Sequence, residues 1–217
     1  MLRLRPDAGV TGGLRVLCLG CHSDDIEIGC GGSILRLAAE RPDCVFDWVV
    51  FCAIDVRASE AKQAIARFVE PSRLKRVLLG GFRDGFMPFA GADIKAVFED
   101  LKQTISPDLI FTHSRKDAHQ DHRLIAELTW NTFRDHLILE YEIPKYDGDM
   151  GRPSVFMPLA LDVCEKKVAL ITDVFRSQSG KRWFKRETFL ALLRLRGMEC
   201  NSPSGYAEAF YGRKLVL

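Results

Sequence analysis

Leu14-Arg15-Val16-Leu17-Cys18-Leu19-Gly20 runs straight into Cys21-His22-Ser23-Asp24-Asp25, an apolar run meeting a polar turn. The first seven residues are almost all apolar, with no in–out alternation. That is the pattern of a strand covered on both faces. The polar residues that follow stand where such a strand must end. Beyond them, Ile34-Leu35-Arg36-Leu37-Ala38-Ala39 predicts a helix. The same alternation continues, with strands over residues 46–51, 76–79 and 107–112 and helices over 60–69, 94–104 and 123–134. Gly80-Gly81 closes the third strand. Continuous apolar strands separated by helices predict an α/β protein with a parallel sheet covered on both sides. In such sheets ligands gather at the carboxyl ends of the strands.

The last third is less regular. Residues 137–144 and 155–163 predict strands, helices are expected over 165–175 and 188–196, and the in–out alternation of residues 206–210 predicts a closing strand. The turn-rich 147–153 stretch reads as a surface loop or an active-site lid. With no repeat, low-complexity segment or linker, residues 1–217 are expected to form a single domain.

Composition narrows the function classes. The chain has 217 residues, 47% hydrophobic and 28% charged, with a net charge of +2. No dense run of Lys and Arg argues for nucleic acid or a membrane surface as partner. The seven cysteines form no even framework, and Cys18 of the Cys18/Cys21 pair sits inside an apolar run. Buried free thiols in a reducing cytoplasm are expected. Residues 1–6 lack the apolar core of a signal peptide, and no segment approaches the ~20 apolar residues of a membrane span. Trp183, Phe184 and Phe189 suit either the core or a homo-oligomer interface.

Four of the five histidines lie in two clusters at predicted strand ends. The first is the Cys21–Asp25 turn. The second is His113-Ser114-Arg115-Lys116-Asp117-Ala118-His119-Gln120-Asp121-His122. A catalytic zinc takes three His, Asp or Glu ligands and keeps one open position for water. The ion acidifies the water and polarises a carbonyl, while a free carboxylate removes the proton. His22, Asp25 and His122 are candidate ligands, Asp24 a candidate base, and His119 a candidate stabiliser of oxyanion charge. Blander readings stand beside these. Asp-Asp in a loop is commonly a helix N-cap, His113 can serve a local hydrogen bond, and His136 lies outside both clusters. Gly29-Cys30-Gly31-Gly32 lacks the dinucleotide spacing, so close helix–sheet packing is favoured over phosphate binding.

The segment His22-Ser23-Asp24-Asp25-Ile26-Glu27-Ile28-Gly29-Cys30-Gly31-Gly32-Ser33 resembles the signature of the PIG-L/LmbE-like deacetylases. His119-Gln120-Asp121-His122 is similar to that family's second motif. Arg57-Ala58-Ser59-Glu60 and Tyr206-Ala207-Glu208-Ala209-Phe210 are similar to further family segments. Ser23 departs from the family's usual proline, which loosens the turn but removes no ligand. The resemblance implies a Rossmann-like three-layer α/β sandwich with a mostly parallel central sheet. It also implies a zinc-dependent hydrolase that removes acetyl from N-acetylated amino sugars or their conjugates. Matched by motif position, His22, Asp25 and His122 bind zinc, Asp24 is the general base and His119 stabilises the tetrahedral intermediate. Asp121 then orients a neighbouring histidine, and Arg57 is a substrate-side contact, against the reading of a helix-start arginine paired with Glu60. Carboxylate and imidazole ligands suit other first-row divalent ions as well. Two alternatives stay open: a zinc amidase or esterase on a non-sugar substrate, and a non-catalytic metal-binding module.

Overall fold

The computed structural model describes residues 13–216. Residues 1–6, read above as lacking a signal peptide, lie outside them. Five strands alternate with helices: β1 (Arg15–His22), α1 (Asp25–Glu40), β2 (Val45–Cys52), α2 (Asp55–Phe68), β3 (Leu74–Leu79), α3 (Gly91–Thr104), β4 (Leu109–His113), α4 (Gln120–Thr132) and β5 (Leu137–Tyr141). Then come β6 (Val155–Pro158), α5 (Leu161–Val174), α6 (Arg186–Glu199) and β7 (Ala207–Gly212).

The seven strands form one sheet in the order β3-β2-β1-β4-β5-β7-β6. The first five are parallel, and β7 runs antiparallel to both its neighbours. Strand order reverses direction between β1 and β4, and the crevice outside the strand ends at such a reversal is where open α/β sheets bind ligands. β1 ends at His22 and β4 at His113.

Two hydrophobic clusters, one on each face, explain why these strands carry no alternation. Val16 and Cys18 of β1, with Phe46, Trp48 and Val50 of β2, pack beneath α1, α2, α5 and α6. Their neighbours Leu17, Leu19, Val49 and Phe51 pack against α3 and α4. Each successive side chain therefore meets apolar surface. Trp183, Phe184 and Phe189 join the first cluster and belong to the core. All seven cysteines are buried and free, and no helix among the described residues is long and apolar enough to cross a membrane.

α1 is seated unusually close to the sheet. A Cβ at Gly29 would fall among the ring atoms of Tyr141, which itself donates to the Leu19 carbonyl at 2.7 Å. A buried ion pair fixes the same helix from outside. Glu208 accepts from the Gly32 and Ser33 amides at 2.7 and 2.6 Å, and Lys167 bridges Glu208 to the Ile28 carbonyl. The glycine run serves packing, as its spacing suggested.

The strand expected over 155–163 stops at Pro158, and α5 starts at Leu161. Pro158 brings no N–H to extend the ladder. The chain turns inward before α5 begins: Leu159 is buried and its amide donates to the Tyr206 carbonyl at 3.0 Å.

Candidate functional site

Both clusters come together at the β1/β4 switch point. His22 is the last residue of β1, and Asp24 occupies the N-cap position of α1 without a side-chain cap bond. Asp25 opens the helix, and its Oδ2 accepts from the His22 amide at 2.6 Å, locking the tight turn. From the other side, His119 caps α4, its Nδ1 accepting from the Asp121 amide at 3.2 Å, and His122 follows in the first turn. Asp24 precedes the helix and Asp25 begins it, and their carboxylates take different partners, Arg57 and the His22 amide.

His22, Asp25 and His122 are buried and converge. His22 Nδ1 stands 3.1 Å from His122 Nε2, and Asp25 Oδ2 lies 3.4 and 3.6 Å from these nitrogens. The far nitrogen of each ring faces a carboxylate. His122 Nδ1 is 2.9 Å from Asp117 Oδ2, and His22 Nε2 is 3.0 Å from Asp84 Oδ1. A carboxylate can only accept, so each far nitrogen carries the hydrogen of the neutral ring and each near nitrogen is bare. Two nitrogen lone pairs and a carboxylate oxygen then face one another, an arrangement that requires a cation among them. Ligands about 2.0–2.2 Å from a tetrahedral ion stand roughly 3.3 Å apart, so the donor set fits a first-row divalent metal.

The electrostatics describe the same demand for one cation. Burial opposes charge on His22, yet the carboxylates of Asp25 and Asp121 beside it lift its pKa well above the ordinary value. Burial and the neighbouring His113 push His122 down to about 4, against the pull of Asp25 and Asp117. A proton on His22 and a divalent ion would answer the same demand. Burial would raise Asp25, but His122, His113 and His22 hold it well below the usual carboxylate range. Asp24 goes the other way. Its burial and the charge of Asp25 raise it, with Arg57 opposing.

Sequence reasoning left four partners without a role. Asp117 joins the His122 ring to the His119 amide, which donates to its Oδ1 at 2.8 Å. Lys145 places its ammonium 3.0 Å from Asp117 and 2.6 Å from Asp149, tying the 147–153 loop to the site. His113 puts Nε2 3.1 Å from Asp25 Oδ2, accepts from the Cys21 amide at 2.9 Å and stacks on His122. Asp84, half exposed on the loop after β3, pairs with His22. Of these, Asp117 was discoverable, because a metal-binding imidazole normally has a carboxylate on its second nitrogen. Cys21 lies within reach of the cluster, but burial pushes its thiol up to about 12, so it stays protonated.

Asp121 faces His22 rather than His122: its Oδ2 is 3.8 Å from His22 Nε2 and accepts from the Gly85 amide at 2.6 Å. Gly85 has φ +76°, a left-handed conformation suited to glycine. Arg57 donates to Asp24 Oδ1 at 2.9 Å and stands 3.5 Å from Asp84. Glu60 instead binds the Ser177 amide and hydroxyl at 2.8 and 2.6 Å. His136 pairs locally with Asp135.

Residues 17–133 match the PIG-L family model, described as GlcNAc-PI de-N-acetylase. The uncharacterized deacetylase YaiS of Escherichia coli (strain K12) is 28% identical over 142 residues, which cover 59% of this chain and 74% of that protein. N,N'-diacetylchitobiose deacetylase from Pyrococcus horikoshii, solved with its inhibitor MPG, superposes with a TM-score of 0.69 at 20% identity, covering 95% of this chain and 86% of that one. GalB, the 4-carboxy-2-hydroxymuconate hydratase of Pseudomonas putida KT2440, superposes with a TM-score of 0.70 at 17% identity over 94% and 98% of the two chains. These two structural likenesses speak for the fold.

Proposed function

The chain belongs to the PIG-L family of deacetylases, and from that premise we propose that it is a zinc-dependent N-deacetylase acting on an N-acetylated amino sugar or its conjugate. The observation that carries the reading is the convergence of His22, Asp25 and His122 at the switch point, with Asp24 and His119 beside them. A divalent ion held by these three ligands supplies Lewis acidity and lowers the pKa of a coordinated water.

The chain's own groups do the rest. Asp24 is the base that takes a proton from the attacking water, and Arg57 holds its carboxylate in place through the 2.9 Å contact. Because His119 Nδ1 accepts from the Asp121 amide, the hydrogen of the neutral ring is on Nε2. That N–H is free to donate to the carbonyl oxygen as it gains charge. Asp24 then returns its proton to the amine nitrogen as the C–N bond breaks, so water and amide become acetate and free amine. Asp117 holds the ring of His122 at 2.9 Å and Asp84 that of His22 at 3.0 Å, with Asp121 3.8 Å from the same His22 nitrogen. Arg57 also stands at the substrate side of the cluster, beside the exposed Asp84.

An amino-sugar substrate is supported by the diacetylchitobiose deacetylase among the structural relatives. The GalB hydratase likeness means that the fold alone does not select this chemistry. The test is a panel of N-acetylated amino sugars, sugar conjugates and non-sugar acetamides, read as acetate and free amine released by zinc-loaded protein. Chelation-sensitive release from a sugar is the expected result. Turnover confined to non-sugar amides would replace the substrate class, and no release from any acetamide would remove the deacetylase reading.

A further inference from the structure

A second concave site lies on the outer face of α4, sharing no residue with the His22–Asp25–His122 cluster. It is a cavity of about 450 Å³ whose lining includes Arg115, Glu127, Trp130, Arg134, Arg213 and Lys214. That volume falls in the range of small-molecule pockets, roughly 300–1,000 Å³.

Two properties set it apart from an ordinary solvated surface. The first is charge. Four cationic side chains and one carboxylate leave a net of three positive charges in one hollow, more than the +2 of the entire chain. Among the described residues, none of the four cations forms an ion pair with a carboxylate. Arg134 Nε donates to the Asn131 carbonyl at 3.1 Å, and Lys214 donates to the Arg134 carbonyl. All four are exposed, so water softens their mutual repulsion, and an anion placed among them is attracted by each.

The second property is a fixed aromatic base. The Trp130 indole N–H donates to Glu140 Oε1 at 2.6 Å, and the other oxygen of this buried carboxylate accepts from the Arg115 amide at 3.1 Å. One acid thus sets both the indole and the backbone of Arg115. The Arg213 guanidinium stands 4.8 Å and the Lys214 ammonium 5.6 Å from the ring centroid, where cation–π attraction holds them over the cavity. Guanidinium forks match the oxygens of a phosphoryl group. The cations ring one open hollow rather than running in a stripe along the surface, which favours a small ligand over a polymer.

We infer that this pocket is a binding site for a small phosphate-bearing ligand, gripped by Arg115, Arg134, Arg213 and Lys214 around Trp130. Such a phosphate has two sources, a free effector or a phosphoryl group on the substrate itself.

Calorimetric titration of the whole protein with inorganic pyrophosphate, and separately with N-acetylglucosamine 1-phosphate, tests the inference. Saturable binding is expected, with affinity falling at least about tenfold in the Arg134→Glu/Arg213→Glu variant. The milder Arg134→Gln/Arg213→Gln pair should fall in the same direction. The Lys62→Glu/Lys75→Glu variant changes net charge equally but at exposed positions elsewhere, and should bind within about twofold of wild type. Pyrophosphate binding should persist in His122→Ala, which separates this site from the proposed metal centre and from the functional reading. Sugar phosphate binding that also survives His122→Ala marks an effector, whereas loss in both variants marks a substrate phosphate. Absence of saturable pyrophosphate binding would overturn the proposal. Equal loss in the Lys62/Lys75 control would do so too, as would a single-stranded oligonucleotide that binds tighter than pyrophosphate through the same arginines.

Discussion

Asp117→Asn is the substitution that most sharply separates a metal centre from a cluster of buried histidines. In the native protein Asp117 Oδ2 accepts from His122 Nδ1 at 2.9 Å, Oδ1 accepts from the His119 amide at 2.8 Å, and Lys145 sits 3.0 Å away. Asparagine is nearly isosteric, and its carbonyl oxygen can keep the bond to the His119 amide. Its NH2 group then faces His122 Nδ1 and donates where the carboxylate accepted. The imidazole hydrogen moves to Nε2, the atom that faces His22 Nδ1 at 3.1 Å. A lone pair needed for the cation is lost unless the amide flips, and flipping leaves the His119 amide facing NH2. Substitutions of this kind cost about 10–100-fold in metal affinity, or about 1.4–2.7 kcal/mol. Asp117 is buried, so solvent does little to soften the effect. Competition against a chromophoric chelator measures it, with circular dichroism as the control for folding. A folded Asp117→Asn protein that binds zinc within about twofold of wild type would refute the reasoning, because the carboxylate would not be setting the ring.

Further outcomes are expected. Asp24→Asn should retain zinc while slowing turnover about 10²–10⁴-fold, and Asp25→Asn should weaken metal binding, with excess zinc recovering part of the activity; parallel metal titrations and rates show whether the roles are reversed. His119→Ala should keep its metal and lose about 10²–10³-fold in rate, so loss of zinc from that variant, measured by elemental analysis, would contradict the assignment. Zinc affinity should rise with pH through the neutral range, because the raised pKa of His22 means that the ion must displace a proton; affinities measured at about pH 6, 7 and 8 that do not change would count against it. Lys167→Met leaves Glu208 buried without its ion partner and should cost about 3–5 kcal/mol in a denaturant titration, whereas a loss below about 1 kcal/mol would mean that the pair does not secure α1.

The parallel half of the sheet was legible because its strands are buried on both faces. In β1 and β2, Val16, Leu17, Phe46 and Val49 each meet core, so the sequence shows unbroken apolar runs. The same signal misled over 155–163, where apolar residues continue across Pro158 into a buried loop and a helix. Within the site, His22, Asp25, His119 and His122 were visible because each stands in a short contiguous motif at a strand end. The groups that tune them were not. Lys145 reaches Asp117 only through the fold of the loop after β5, and Asp84 meets His22 because the β2–β3 edge brings its loop over β1. Arg57 reads from the sequence as a substrate-side contact, against a helix-start arginine paired with Glu60; packing of α2 delivers it to Asp24, and Glu60 binds Ser177 instead.

Anomalous diffraction at the zinc edge, from crystals of zinc-loaded protein, locates the ion and its ligands directly. One strong peak is predicted about 2.0–2.2 Å from His22 Nδ1, Asp25 Oδ2 and His122 Nε2. No peak there, or a peak whose ligands exclude Asp25 and His122, would contradict the account.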